Sequence, residues 1–353
     1  AGALSKEELA GLRTVSPSQG MMIESINPDL ECHRGAPDKL PERRLQTLNS
    51  AGELSIPFTT GILVGIGESR SDRIEALKAI AQIHEKHGHI QEVIVQNFLP
   101  KAGTSMHKYP PCPPEDYLEA IALARLILPE SIHLQAPPNL SDDFSSLIKA
   151  GIDDWGGVSP VTADHVNPER PWPAIDRLTR VSENLGYSIA PRLTIYPEFA
   201  SDGEKWLDAS LRFPVLDRSD SEFLARDDPG AVFPERVEFI TDVNDGAEVA
   251  QVGEDSTQWY SGAPRTPTMI MNGSKESTGQ IREILDGVLL NQEVSVDEVV
   301  ALFAARGSQV RAVADVADHL RSQENGNTVT YVANRNINYT NVCTFKCRFC
   351  GFS

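Results

Sequence analysis

Three cysteines crowd the end of the chain as Cys343-Thr344-Phe345-Lys346-Cys347-Arg348-Phe349-Cys350, a C-x3-C-x2-C spacing. Three thiolates on so short a loop suit three irons of a cubane 4Fe-4S cluster, and no fourth cysteine lies nearby to close the set. An iron left open by the protein is one that a bound small molecule can occupy and the metal activate. The alternative is a structural zinc site in a non-enzymatic metal-binding module. Zinc sites usually take four ligands, commonly as C-x2-C pairs or with a His partner, and the nearest His here, His319, lies more than twenty residues upstream. A brown, air-sensitive protein would mark iron–sulfur and a colourless one zinc. Cys32 and Cys112 have no ligand spacing and read as ordinary thiols. An odd total of five cysteines without a framework spacing fits a reducing compartment, so a cytoplasmic location is expected.

A second pattern, Gly61-Ile62-Leu63-Val64-Gly65-Ile66-Gly67-Glu68, has the form G-x-[IL]-x-G-x-x-E. Glycines after a buried strand serve close packing or a tight turn, and the pattern alone assigns no ligand. Glu24 ends Met21-Met22-Ile23, where a solvated glutamate at a helix start is the plain account. Asn139, Asp153, Asp154 and Ser159 are expected on loops after strands, where a barrel binds its substrate, although turns and helix caps use the same residue types. Trp155 and Trp172 are wide enough to stack on a flat ring, but core packing is the commoner use of Trp.

The elements that must position these residues follow a βα rhythm from Gln19 to about Pro197, the mark of an α/β fold with a parallel sheet. Strands are expected at Ile56 to Val64, Glu92 to Gln96, Ile132 to Gln135 and Ile152 to Val158. A helix should start near Asp72, with Glu75 three residues on as its capping box, and stop at Gly88; another spans Tyr117 to Leu128 with Pro129 beyond it. Between Ser201 and Tyr260 the rhythm is lost, and fifteen Asp or Glu face five Lys or Arg, which reads as an irregular solvated linker. Helices resume at Thr278 to Leu290, after the Ser295-x-x-Glu298 capping box, and at Gln309 to Arg321. A strand at Val329 to Val332 then leads toward the cysteines.

The chain of 353 residues is long enough for two domains at about 150 residues each. A net charge of −18 disfavours nucleic acid and anionic membrane as partners and favours a small molecule. No apolar run approaches the roughly 20 residues that span a bilayer. The opening Ala-Gly-Ala carries neither a Met nor a signal-peptide pattern, as expected of a piece from within a longer protein.

With an aromatic residue just before its last cysteine, the C-x3-C-x2-C loop resembles that of the radical S-adenosylmethionine enzymes. The resemblance implies a TIM-like (β/α) barrel and an open iron ligated by the amino and carboxylate groups of S-adenosylmethionine. Cleavage of the sulfonium would then give a 5′-deoxyadenosyl radical that takes hydrogen from unactivated carbon. It further implies that Cys343, Cys347 and Cys350 are the metal ligands and that the strand with Gly61, Gly65 and Glu68 meets the adenine through its backbone. Glu24 would lie near the ribose or amino acid end. The Asn97-Phe98-Leu99-Pro100-Lys101-Ala102-Gly103-Thr104 loop resembles that of biotin-synthase-like members and is expected to line the substrate end.

More specifically, Ile90 to Phe98, Gln135-Ala136-Pro137-Pro138-Asn139-Leu140 and Asp153-Asp154-Trp155-Gly156-Gly157-Val158-Ser159-Pro160 resemble the cyclising subunit of 7,8-didemethyl-8-hydroxy-5-deazariboflavin synthases. Tyr331 to Cys343 resembles the subunit that joins tyrosine to a ribitylaminouracil, and both in this order resemble the fused actinobacterial family. The implied organisation is the back of one radical barrel over residues 1–200, an acidic linker over 201–275 and the front of a second barrel over 276–353. The implied substrates are L-tyrosine and 5-amino-6-(D-ribitylamino)uracil, with a flavodoxin or ferredoxin as electron donor, and Asn97, Asn139, Asp153, Asp154 and Ser159 as substrate contacts. Since neither active site would be complete, these residues alone are expected to have no turnover. Radical enzymes of the futalosine pathway to menaquinone share the second module's style, but do not account for the first module's Trp-Gly-Gly-Val-Ser-Pro and Gln-Ala-Pro-Pro-Asn-Leu loops.

Overall fold

The computed structural model describes residues 2–159, 164, 167, 169–226, 279–290, 292, 294–326, 328–333 and 349. Contacts divide the chain into one unit made of residues 1–226 and 271–353 and another of residues 227–270, which lies outside the described residues. In chain order the elements are α1 (Lys6–Arg13), β1 (Gln19–Gly20), α2 (Pro41–Glu53), β2 (Phe58–Val64), α3 (Arg70–His87), β3 (Ile90–Asn97), α4 (Pro114–Ile127), β4 (His133–Gln135), α5 (Phe144–Lys149) and β5 (Asp154–Val158). They continue with α6 (Ile175–Asn184), β6 (Ser188–Pro191), α7 (Pro197–Ser201), α8 (Gly203–Trp206), α9 (Ala209–Arg218), α10 (Gln280–Val288), α11 (Val296–Phe303), α12 (Ser308–Asn325) and β7 (Thr328–Ala333).

All seven strands pair in parallel in one curled sheet ordered β1-β2-β3-β4-β5-β7-β6, the partial TIM-like barrel that the βα rhythm implies. Parallel sheets are covered on both faces, so their strands read as continuous apolar runs, and β2 is buried at all but one of its seven residues. The main core gathers Phe58, Ile62, Val93, Val95, Leu134 and Trp155 beneath α2 to α4. Burying each such side chain stabilises by about 1.5–3 kcal/mol.

Three local outcomes differ from expectation. The capping box of α3 is Ser69-x-x-Asp72, not Asp72-x-x-Glu75: the Asp72 amide donates to Ser69 Oγ at 3.2 Å and the Ser69 amide to Asp72 Oδ2 at 2.8 Å. Ser69 holds the extended backbone of an N-cap, so Asp72 falls inside the first turn, where its charge also suits the helix dipole. Residues 203–218, expected to be irregular, form α8 and α9, which close a small core of Ile195, Tyr196, Phe199, Trp206, Leu207 and Val215. Three apolar anchors were enough to order a charged stretch.

The third difference concerns β7. It enters the same sheet as the first module, between β5 and β6, with Asp154 opposite Thr330 and Ala190 opposite Thr330 on its other side. The preceding helices α10 to α12 lay Ile281, Leu285, Leu302, Phe303 and Val313 against Ile74, Ala122 and Leu123 of α3 and α4. The Ser295–Glu298 box forms as expected at the start of α11.

Candidate functional site

At the C-terminal rim of the sheet the chain leaves β1 through Met21-Met22-Ile23 and reaches Glu24, whose amide donates to the Gly61 carbonyl at 3.0 Å. Its own carbonyl accepts from Leu63 at 2.9 Å. Glu24 takes φ +64°, a left-handed conformation that is uncommon outside glycine and turns its side chain away from the run of the strand. The carboxylate is buried and accepts from His33 Nε2 at 2.9 Å and from Lys39 Nζ. Burial favours the neutral acid, but the hydrogen bond from His33 and the positive charges of Lys39 and Arg44 outweigh it and hold the pKa down at about 2. Arg44 is fixed by donating to the carbonyls of Asp38 and Met22. A solvated glutamate at a helix start is thus replaced by a buried anion held by a hydrogen bond from His33 and the charges of Lys39 and Arg44. Against this cluster lies Phe349, its ring 6.0 Å from that of His33 and 5.4 Å from Lys39 Nζ.

The glycine motif sits one strand over. At Gly61 a Cβ would run into the Ile94 carbonyl and come within 2.7 Å of Met22 Cε, so the residue is set by strand packing. Gly65, at φ +96°, would place a Cβ 2.8 Å from that of Cys112, whose thiol burial pushes up to about 12. Glu68 turns back on its own loop and accepts from the amides of Gly65 and Ile66, both at 2.8 Å, and from Arg73 Nε at 2.7 Å. That arrangement fixes the loop between β2 and α3 as the wall of a cavity of about 310 Å³, lined by Asn27, Leu30, Cys32, Ile66, Gly67 and Met106. At Gly67 an added Cβ would meet nothing within 4 Å.

Of the polar residues expected at the substrate end, Asn97 closes β3, Asn139 lies in a turn after β4 and Ser159 follows β5, all three on the C-terminal rim. The Asn97 Nδ2 donates to the Leu140 carbonyl at 3.0 Å and so ties β3 to the Asn139 turn. Asp153 and Asp154 are a correction: Asp153 directly precedes β5 and Asp154 is its first residue, so neither lies on a loop after it. Asp153 accepts from Arg125 Nη2 at 2.6 Å, from the Leu134 amide at 2.6 Å and from His133 Nδ1. Burial raises its pKa, but Arg125 and His133 overcome this and leave it well below the usual carboxylate range. Asp154 accepts from Arg192 Nη2 at 2.9 Å and from the Thr330 hydroxyl of β7. They pair with the buried Arg125 and Arg192, a need that no local pattern announces.

Other groups escaped sequence reasoning altogether. His33 and Lys39 come from two short turns, Glu31–His33 and Pro37–Lys39, with no periodicity to mark them. Arg192 bridges Asp154 and Glu92 from across the sheet, and a lone Arg inside Ile189 to Ile195 was the one available hint. Burial pushes the pKa of Glu92 up even against the Arg192 guanidinium. Cys343, Cys347 and Cys350 lie outside the described residues, and among the described residues no group of three or more His, Cys, Asp or Glu is placed to hold a metal ion. No described helix is long and apolar enough to cross a membrane.

No family model matches the chain. It is 42% identical over 380 aligned positions to the FO synthase of Mycobacterium tuberculosis, covering all of this chain and 44% of that protein. The FO synthase of Streptomyces coelicolor is 39% identical over 374 positions, again across the whole chain and 43% of the relative. The chain therefore spans less than half the length of these relatives. The 7,8-didemethyl-8-hydroxy-5-deazariboflavin synthase of Archaeoglobus fulgidus is 49% identical over 227 positions, 64% of this chain and 68% of its own length. On these identities the chain belongs to the 7,8-didemethyl-8-hydroxy-5-deazariboflavin (FO) synthase family.

Proposed function

We propose that the chain is part of a radical S-adenosylmethionine enzyme that builds the deazaflavin ring system. The second module, from residue 276, would transfer the 4-hydroxybenzyl group of tyrosine to 5-amino-6-(D-ribitylamino)uracil. The first, up to residue 200, would close the third ring with loss of ammonia, and residues 201–275 would link them. The carrying observation is identity of 39–42% to FO synthases along the entire chain, across both modules.

The donor set suits the expected group, since three thiolates are the soft ligands that iron–sulfur clusters take. Cys343, Cys347 and Cys350 would hold it. When bound together, the cluster and S-adenosylmethionine supply a one-electron bond cleavage that yields a hydrogen-abstracting species. In the first module, the cavity beside Ile66 and Gly67 offers open backbone to the cofactor. Gly61 and Gly65 keep the neighbouring segments close, Glu68 holds the loop amides and Glu24 orders the cationic cluster beside them. Asn97, Asn139 and Ser159 would meet substrate at the rim, with Asp153 and Asp154 bracing the start of β5. A flavodoxin or ferredoxin would deliver the electron, in the cytoplasm, and these 353 residues alone would not turn over.

The test uses the intact polypeptide that carries this chain, purified without oxygen and given S-adenosylmethionine, a strong reductant, tyrosine and the ribitylaminouracil. A fluorescent deazaflavin that Cys343→Ala abolishes is the expected result. Cleavage of S-adenosylmethionine without deazaflavin would overturn the substrate assignment and favour a futalosine-type reaction.

A further inference from the structure

Two asparagines on the C-terminal rim each have one edge of the amide committed and the other empty. Asn97 Nδ2 donates to the Leu140 carbonyl, and Asn139 Nδ2 donates to Asp164 Oδ2 at 2.9 Å and, at 3.4 Å, to the Arg170 carbonyl. Every one of those partners is an oxygen that only accepts, so a flipped amide would set carbonyl against carbonyl or carboxylate. The orientation of both side chains is thereby fixed, and Oδ1 is the free edge in each. Asn97 is 8% exposed and Asn139 5%, yet neither Oδ1 has a hydrogen-bond partner among the described residues. Buried acceptors without donors are unfavourable, and a ligand that brings donors relieves them.

The two lie close together, because the Asn97 side chain bonds to the residue next to Asn139. They also stand where parallel strands end, the face on which a barrel binds its ligand. What they present is acceptors alone, their own N–H groups being taken. A buried hydroxyl would need donors for its lone pairs as well as an acceptor for its proton, whereas a ring N–H or an amino group mainly donates.

We infer that Asn97 and Asn139 form an acceptor pair that reads the N–H donors of a nitrogen-rich ring and so sets ligand specificity in the first module. The identity of the ring rests on the function proposed above; the acceptor pair rests on the geometry. The test is calorimetric binding, to the intact polypeptide that carries this chain, of three probes: the 4-hydroxybenzyl adduct of 5-amino-6-(D-ribitylamino)uracil that the first module is proposed to cyclise, its N3-methyl derivative and its derivative lacking the 5-amino group. The natural polypeptide should bind at least one derivative about tenfold more weakly than the parent adduct, because a buried acceptor is left unpaired. In Asn97→Ala or Asn139→Ala that ratio should fall toward one. A ratio of two Kd values from one preparation does not depend on the fraction folded, so a destabilised variant still reports. If the parent binds and neither variant changes the ratios, the acceptor pair is overturned while the proposed function stands. If the parent does not bind the natural polypeptide, the ligand class fails and the inference fails with it.

Discussion

At Glu24 burial pulls toward the neutral acid while the hydrogen bond from His33 and the charges of Lys39 and Arg44 pull toward the anion, and the latter prevail. The folded pKa of about 2 lies below the ordinary 4.5, so the stability this group contributes is complete above pH 4.5 and is lost as the pH falls toward 2. By linkage this is worth up to about 3 kcal/mol. Glu24→Gln should therefore melt below the natural protein at pH 7, and the gap should narrow to about a quarter by pH 2.5; a gap that stays constant across thermal melts in that range would show that the charge is not what matters. The position of Glu24 after an apolar run was legible in the sequence, but its partners were not. They arrive from turns whose residues follow no period, and only the folded chain brings them within hydrogen-bond reach. The same holds for Asp153 and Asp154, which look like loop residues until Arg125, His133 and Arg192 are seen beside them.

Among elements, α3 separates a cap that forms from one that only looks right. Ser69→Ala removes the acceptor for the Asp72 amide and should cost about 1 kcal/mol, whereas Glu75→Ala should change stability by less than about 0.5 kcal/mol. Urea unfolding of both variants checks the pair, and equal losses would contradict the Ser69 box. Both candidate boxes fit the residue types, and backbone geometry decides between them; the sequence alone favoured the acid nearer the apolar stripe. A second element-scale consequence follows from Glu119, buried on α4 with Arg70 at 3.4 Å and Arg306, ahead of α12, at 3.8 Å. Burial outweighs the two arginines and raises its pKa to about 7, from 4.5. Stability from this group is thus complete below pH 4.5 and lost as the pH rises through 7, by up to about 3 kcal/mol. Hydrogen exchange in α11 and α12 should quicken between pH 6 and 8 beyond the intrinsic rise, and Glu119→Gln should abolish the excess. An excess that persists in the variant would place its cause elsewhere.

Across the whole molecule, five strands were legible as short runs set between amphipathic stretches, a pattern that needs no knowledge of distant residues, whereas β1 (Gln19–Gly20) and β6 (Ser188–Pro191), short and only partly buried, carry no such run and were not foreseen. The seat of β7 was not legible either. Its own residues read plainly as a strand, but Ser188 pairs with Thr328 and Gly157 with Val332, and nothing near either partner encodes the other. Such pairing has a consequence in time. When β5 and β6 have left the ribosome, the stave that belongs between them is still untranslated, more than a hundred residues away. At about 5–20 residues per second, the nascent chain must hold that seam apart for roughly 7 to 30 s before the strand emerges. Until then two sheet edges stand unpaired and open to other chains, so the yield of native protein should depend on the speed of elongation and on whatever shields those edges meanwhile.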